Sequence, residues 1–213
     1  MIGDVRLWLF LAVLGSAFGH IRAEYRGPRW QVYLFKPMTT ALILLAALAS
    51  SHAPSAFYRV AILAGLLLSL AGDVFLMLPR DRFVAGLVSF LLAHLCYIAA
   101  FSSGVALGLS PWTTLPLLVV AAILLWLLWP HLGSMRLPVL LYVAVILCMA
   151  WRALVRWQQV GGAEAFGAAA GALLFVASDA TLALDRFRGR FRSAQLVILS
   201  TYTIAQWLIA ASV

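Results

Sequence analysis

Residues 57–78 read FYRVAILAGLLLSLAGDVFLML, with a single arginine and a single aspartate among mostly apolar side chains. A helix rises about 1.5 Å per residue, so a run of this length covers the roughly 30 Å hydrocarbon core of a bilayer. The stretch therefore predicts a transmembrane helix. It also places an acidic residue, Asp73, inside an apolar segment.

The composition of the whole chain agrees with this prediction. Of 213 residues, 65% are hydrophobic and 10% are charged, whereas a soluble domain carries about 25% charged residues. We therefore expect an all-α protein, a polytopic transmembrane helical bundle that forms a single transmembrane domain over residues 1–213. The net charge of +8 would suggest a nucleic-acid partner in a soluble protein. Here the basic residues lie in short loops between apolar runs, so the expected partners are membrane lipids and no nucleic acid.

Eight apolar runs are long enough, or nearly long enough, to cross a bilayer. They lie at about 5–21, 37–52, 57–78, 83–102, 112–130, 137–157, 164–184 and 194–212. Pro37 opens the second run and is expected in the first turn of its helix. The first run also resembles a signal peptide, but Asp4 near its start argues against one, and we expect a retained helix.

The basic residues are distributed unequally between the two sides of the predicted bundle. The odd-numbered loops hold eleven lysines and arginines, and the other side holds four. The positive-inside rule then predicts a cell-membrane protein with cytoplasmic odd-numbered loops and both termini outside. The cluster from Arg186 to Arg192 is interpreted as part of this cytoplasmic flank and not as part of a functional site.

Two segments of the chain resemble each other. Residues 72–78 begin Gly-Asp and are followed by Arg82-Phe83, while residues 178–184 begin Ser-Asp and are followed by Arg186-Phe187. Four predicted spans separate them, so the two helices run in the same direction through the bilayer. The pattern indicates duplicated four-helix halves, related by an axis along the membrane normal.

Asp73 and Asp179 are the only acidic residues well inside apolar runs. A charge near the bilayer centre costs about 2.5–3.5 kcal/mol on insertion scales, so such residues are functional by default or paired. Each lies seven residues before an arginine, Arg80 or Arg186, which sets both about 10 Å in from the basic boundary. We expect the two carboxyls to face one cavity that opens inward, where one can act as an acid and the other as a base. The structural alternative is that each pairs with a cation or caps a neighbouring helix.

Four further polar residues share helix faces with this region. His94 and Tyr97 lie on one face of the fourth predicted helix, and Tyr202 and Gln206 on one face of the eighth. His94 and Tyr202 correspond when the halves are aligned on their Arg-Phe steps. All four are candidates for substrate binding.

Lys36 and Thr39 begin the second predicted helix at the same side of the membrane. A lysine near a helix end commonly extends its charge to the interface, but it can also contact a phosphate group. We treat both residues as candidates for binding a substrate headgroup. A single deep histidine does not make a zinc site, and we expect neither a metal nor a cofactor.

These motifs resemble those of the YhhN-like lysoplasmalogenase family, integral membrane hydrolases of vinyl ether lipids. The likeness runs from about residue 30 to the end of the chain and rests on 36–40, 70–78, 83, 86–87, 89–90, 93–97, 178–179, 186–187, 202 and 206–207. The resemblance implies eight spans and a lysophospholipid substrate, a lysoplasmalogen. Its vinyl ether bond would be hydrolysed to a fatty aldehyde and glycerophosphocholine or glycerophosphoethanolamine. It also implies that Asp73 and Asp179 are the catalytic residues.

The chemistry of a vinyl ether suits two carboxyls. Protonation of the β-carbon leaves an oxocarbenium ion, water adds to it, and the resulting hemiacetal collapses. Paired carboxyls serve oxocarbenium chemistry in glycosidases in the same way. Three other interpretations remain at this point: a transporter with intramembrane acids, a lipid-binding or assembly subunit, and a metal-dependent lipid hydrolase. The sequence leaves the oligomeric state open.

Overall fold

The computed structural model describes residues 2–50, 52–79 and 82–213, and within these ranges it contains helices and no strand. The helices are α1 (Ile2–Arg26), α2 (Arg29–Leu48), α3 (Ala56–Met77), α4 (Phe83–Ser102), α5 (Pro111–Leu128), α6 (Arg136–Val160), α7 (Gly162–Ala183) and α8 (Ala194–Ala210). Two short 3₁₀ turns join α5 to α6, and a π-helical turn at Leu184–Arg188 extends α7. The all-α prediction is confirmed.

The helices have the lengths of membrane spans. Seven of the eight described helices are long and apolar enough to cross a bilayer, and α8, with 17 residues, lies at the short end of the usual range of about 17–25. Large apolar side chains face outward along the bundle, among them Phe18, Leu67, Val88 and Trp126. An outer surface of this kind fits lipid, so the chain is a multi-pass membrane protein.

The start of the second helix differs from the prediction. Helix α2 begins at Arg29 and ends at Leu48, and Pro37 lies inside it rather than in its first turn. The break before α2 is made by Pro28, whose extended backbone ends the preceding turn. Polar residues at 22–30 had marked this stretch as a loop, yet they continue α1 and start α2 beyond the apolar runs. Arg80, the predicted depth marker for Asp73, lies outside the described residues.

The helix pairings of the first half recur in the second. Helix α1 packs on α2 as α5 packs on α6, and the extensive α3–α4 interface is matched by the α7–α8 interface. The pairs α2–α3 and α6–α7 also correspond, as do α4–α6 and α8–α2. These contacts close α2, α3, α4, α6, α7 and α8 into a ring, with α1 and α5 on its outside. The arrangement is the one expected of two related four-helix halves.

Small residues allow the ring helices to approach closely. A Cβ at Gly72 on α3 would lie 2.7 Å from the ring of Phe90 on α4, so only glycine fits there. The hydroxyl of Ser178 on α7 donates to the carbonyl of Ile198 on α8 at 3.2 Å. The small residue before each aspartate therefore serves helix packing, as small residues do throughout membrane bundles.

The two ends of the bundle differ in character. At one end, the α1–α2, α3–α4 and α7–α8 connections surround a common cavity. At the other, two buried arginines of α6 hold the α4–α5 connection: Arg152 donates to Ser102, Val105 and Ala106, and Arg156 donates to Ser103. These arginines donate to backbone and hydroxyl oxygens of that connection, and neither lines the cavity that holds the aspartates.

Candidate active site

A polar cavity of about 860 Å³ opens at the end of the bundle where the α1–α2, α3–α4 and α7–α8 connections meet. Asp73 and Asp179 both line it, which brings together the two acidic residues singled out in the sequence. Five basic side chains also line it, against two further acidic ones, Glu24 and Asp185; the basic residues are Arg29, Lys36, Arg82, Arg186 and Arg190. The cavity therefore combines two deep carboxyls with a basic mouth.

Asp73 is held on α3 by hydroxyl groups from two other helices. Its side chain is buried, with 2% of its surface exposed. Thr40 on α2 donates to Oδ2 of Asp73 at 2.6 Å, and Tyr202 on α8 donates to the same oxygen at 2.7 Å. The two donors fix one carboxylate oxygen and leave Oδ1 available for another partner.

Asp179 occupies the matching place on α7. Tyr142 on α6 donates a short hydrogen bond to its Oδ2. His94 on α4 places Nε2 4.0 Å from the same oxygen, and neither histidine nitrogen has a hydrogen-bond partner among the described residues. The Asp179 side chain is 13% exposed, more than Asp73. Asp179 thus has one hydroxyl donor where Asp73 has two.

The surroundings of the two aspartates are related by the same duplication as the helices. Asp73 receives a hydroxyl from α2 and faces α8, and Asp179 receives a hydroxyl from α6 and faces α4. Tyr202 and His94 therefore hold corresponding positions, as the sequence alignment of the halves had placed them. The two carboxyls therefore have corresponding surroundings in the two halves.

A line of hydrogen bonds runs behind Tyr202. Tyr97 donates to Oε1 of Gln206 at 2.8 Å, and Nε2 of Gln206 donates to the hydroxyl of Tyr202 at 3.2 Å, which in turn donates to Asp73. Tyr97 and Gln206 are completely buried and do not line the polar cavity. The prediction had both as substrate-binding residues. The structure instead places them behind the cavity wall, where they orient Tyr202.

The two threonines of α2 have different surroundings. Thr39 donates to the carbonyl of Phe35 at 2.8 Å and lies 2.7 Å from the hydroxyl of Ser16 on α1. It does not line the polar cavity, which corrects its placement in the site. Thr40, one position along, contacts Asp73, because successive side chains on a helix point about 100° apart. Lys36 does line the cavity.

Sequence reasoning also missed residues of the second half. Tyr142 carries no signal of its own, although it lies four residues after Pro138 and Thr40 lies three residues after Pro37. The arginines after α7 were interpreted as a cytoplasmic flank outside the site, and this is wrong for Arg186 and Arg190, which line the cavity. The π-helical turn at Leu184–Arg188 continues α7 and carries Asp185 and Arg186, which line the cavity.

The described part of the chain offers no metal-binding cluster. No group of three or more histidine, cysteine, aspartate or glutamate side chains converges there in a way suited to a metal ion. His94 is also too enclosed to take a ligand from the cavity, because it is fully buried against Tyr142 and Phe175. The acids and hydroxyls described above are the groups that can act on a bound molecule.

Fold and site together define a multi-pass membrane protein with paired carboxyls in a basic-mouthed cavity among its helices. Residues 31–213 match the YhhN family, and the chain belongs to that family, as the motifs had indicated. It is similar to the membrane protein YhhN of Escherichia coli O6:H1, with 36% identity over 206 residues, covering 97% of this chain and 98% of that protein.

Mammalian relatives of the chain are named lysoplasmalogenases. Lysoplasmalogenase TMEM86B of Rattus norvegicus is 36% identical over 213 residues, which cover 98% of this chain and 84% of that protein. Lysoplasmalogenase TMEM86A of Bos taurus is 39% identical over 156 residues, with 71% of this chain and 64% of that protein covered. No solved structure matches the chain.

Proposed function

We propose that this protein is a lysoplasmalogenase-like hydrolase that cleaves the vinyl ether bond of a lysophospholipid, with Asp73 and Asp179 as the catalytic residues. The observation that carries the proposal is the convergence of these two carboxyls on one cavity in a chain whose relatives bear that name. The products are a fatty aldehyde and a glycerophosphocholine or glycerophosphoethanolamine. No serine nucleophile is needed for this reaction.

The reaction balances with two carboxyls and one water molecule. One carboxylic acid gives its proton to the β-carbon of the vinyl ether, which leaves an oxocarbenium ion on the α-carbon. The other carboxylate takes a proton from water as its oxygen adds to that carbon. When the hemiacetal collapses, its hydroxyl proton returns to the first carboxylate. The second carboxyl then protonates the departing ether oxygen, and both groups recover their starting states.

The basic mouth of the polar cavity supports a phosphate-bearing headgroup. Lys36 and Arg82 line it from α2 and from the start of α4, and Arg186 lines it from the turn after α7. The Arg186 guanidinium lies over the ring of Phe83 at 4.8 Å, which holds it at the cavity wall. Arginine and lysine are the side chains best suited to phosphate oxygens. The headgroup would therefore lie at the mouth and the ether bond deeper, beside the carboxyls.

The distribution of basic residues among the connections also predicts the orientation of the protein in the membrane. Eleven of fifteen lysines and arginines belong to the odd-numbered connections, so the cavity is expected to open to the cytoplasm, with both termini outside. Topology reporters fused to each terminus test this in cells. A cytoplasmic C-terminus would contradict the orientation and leave the chemistry untouched.

The direct test is aldehyde release from a lysoplasmalogen by purified protein in detergent or vesicles. Lysophosphatidylcholine with an ester link should not be cleaved, because its carbonyl carbon offers no alkene to protonate. Asp73→Asn and Asp179→Asn should each lower the rate by about a hundredfold or more. Glu164→Gln is the matched control, since Glu164 is exposed at the far end of α7.

Two results would count against this function. Full activity in both asparagine variants would remove the paired carboxyls from the mechanism. Uptake of lipid or small molecules into proteoliposomes, without any aldehyde, would instead indicate a transporter with intramembrane acids.

A further inference from the structure

A second cavity adjoins the first between the second-half helices and α4. It is a narrow chamber of about 50 Å³ whose walls are apolar side chains of α4, α5, α6 and α7, such as Leu87, Leu128, Val143 and Val176. This apolar chamber shares part of its wall with the polar cavity, and the shared residues are Leu76, Phe83, Phe90, Asp179 and Leu182. Asp179 therefore lies at the junction of the two spaces, while Asp73 lines only the polar one.

In the first half of the bundle, α1 occupies the corresponding place among the described residues. Helix α1 packs on both α2 and α8 and closes the groove between them. The ring of Phe10 lies 5.0 Å from that of Trp207, and the hydroxyl of Tyr25 both donates to Arg192 and accepts from Leu196. The first contact is near one end of the groove and the other two are near its opposite end.

Helix α5 does not close the corresponding groove between α6 and α4 in the way that α1 closes the groove between α2 and α8. It packs mainly on α6 and on the turn after α7, and it makes no comparable interface with α4 among the described residues. Leu124 and Leu128 of α5 face Leu87 and Phe90 of α4 across the apolar chamber. Asp179 thus lines a chamber that lies where α4 and α5 share no extensive interface among the described residues.

We infer that the apolar chamber binds the beginning of the substrate's unbranched hydrocarbon chain, which enters from the bilayer between α4 and α5. In this arrangement Asp179 protonates the β-carbon of the vinyl ether. Asp73 is then the base that activates water. This inference rests on the proposed function and adds the binding site of the chain and the roles of the two acids.

The chemistry of the substrate matches the two spaces. A vinyl ether joins an apolar chain to a polar glycerophosphate, so it belongs at the boundary between an apolar and a polar cavity. The β-carbon, which takes the proton, is one bond further along the chain than the α-carbon. It therefore lies nearer the apolar chamber, and Asp179 is the carboxyl that lines this chamber. Water reaches the α-carbon, next to the ether oxygen, through the polar cavity, where Asp73 accepts two hydrogen bonds that stabilise its carboxylate form.

A blocking variant tests the chamber with two substrates. Val143→Phe on α6 places a ring in the chamber, and Leu141→Phe places the same ring on the exposed face of the same helix. We expect Val143→Phe to lower kcat/KM for a hexadecenyl lysoplasmalogen by about tenfold or more and to leave a propenyl ether analogue within about threefold. Leu141→Phe should change neither. An equal loss on both substrates, or no loss on either, would overturn the inference.

A binding experiment covers the case in which Val143→Phe does not fold. The probe is an alkyl ether lysophosphocholine with a diazirine near the start of its saturated chain, which has no alkene to hydrolyse. Irradiation of the wild-type protein should label peptides of α5 and α6 around Leu124 and Val143. Labelling of α1 and α8 instead would overturn the inference. Because the probe is not a substrate, this result is separate from the proposed function, which is tested by aldehyde release in the wild-type protein and the asparagine variants.

Discussion

The hydroxyl of Tyr202 on α8 donates a 2.7 Å hydrogen bond to Oδ2 of Asp73 on α3. Behind it, Gln206 and Tyr97 continue the line of donors, so every polar group in that line has a partner. In a bilayer interior an unpaired polar group is costly, and a satisfied line of this kind holds its members in one geometry. The position of Asp73 therefore depends on residues one and two side chains away from the cavity.

Replacing Tyr202 with phenylalanine removes one of the two donors to Asp73 and keeps the ring. We expect kcat to fall by about tenfold, because a hydrogen bond to a charged group contributes about 1.5–3 kcal/mol. Tyr58→Phe is the control: Tyr58 is also buried and bonded through its hydroxyl, to Ser212 at 2.8 Å, but at the other end of the bundle. Aldehyde release measured for both variants decides the matter. Equal loss in the two would mean that Tyr202 acts only through stability.

The neighbouring threonines of α2 give a second matched pair. Thr40→Val removes a donor from Asp73 and should lower the rate of aldehyde release by about tenfold. Thr39→Val removes the contact with Ser16 of α1, so it should lower the melting temperature by a few degrees and leave the rate per folded molecule nearly unchanged. Activity and thermal unfolding are measured on both proteins in the same detergent. The reverse pattern would place Thr39, and not Thr40, at the site.

Gly72, the residue before Asp73, has no room for a side chain. Its Cβ would lie 2.7 Å from the Phe90 ring, which is itself held between Phe175 and Tyr202. Gly72→Ala should therefore destabilise the protein by about 1–3 kcal/mol and displace Phe90 from the cavity wall, with a loss of activity. Gly15→Ala on α1 is the control, because nothing lies within 4 Å of its Cβ position. An unaltered melting temperature for Gly72→Ala would contradict the close packing of α3 on α4.

Arg82 at the cavity mouth should affect binding and not chemistry. We expect Arg82→Gln to raise KM by about fivefold at low salt with kcat unchanged, because an exposed charge pair contributes about 1 kcal/mol. The effect should shrink as salt is added. Arg59→Gln at the opposite end, where Arg59 donates to the Leu48 carbonyl at 2.7 Å, should leave KM unchanged. A fall in kcat with constant KM would instead indicate that Arg82 acts on the reacting bond and not on the headgroup.

The sequence predicted the bundle well because hydrophobicity and helix length are local properties. The apolar runs fix α3, α4, α7 and α8 to within a few residues, and the duplicated motif anticipates the recurring helix pairs. The ends of α1 and the start of α2 could not be predicted in this way, because polar helical turns beyond the bilayer resemble loops. Pro37 added to the error, since a proline inside a membrane helix resembles a helix start.

The composition of the site was predicted less completely than the fold. Asp73 and Asp179 stand out because charge is rare in apolar segments. Thr40 and Tyr142 do not, since hydroxyl groups are common in membrane helices and only their direction matters. The direction of a side chain depends on the rotation of each helix against its neighbours, which a single sequence does not encode locally. For the same reason the sequence predicted Tyr97 and Gln206 at the cavity, whereas they lie one layer of side chains behind its wall.

The closure of one groove by α1 has a consequence for how a substrate is held. A bundle with two interchangeable halves would offer a long molecule two equivalent poses, related by a half turn about the membrane normal. In one of them the wrong carboxyl would meet the carbon. Because Phe10 and Tyr25 seal one route, that degeneracy is removed before any chemistry begins. Under the inferred route, the outer helix α1 thereby sets which carboxyl meets the carbon.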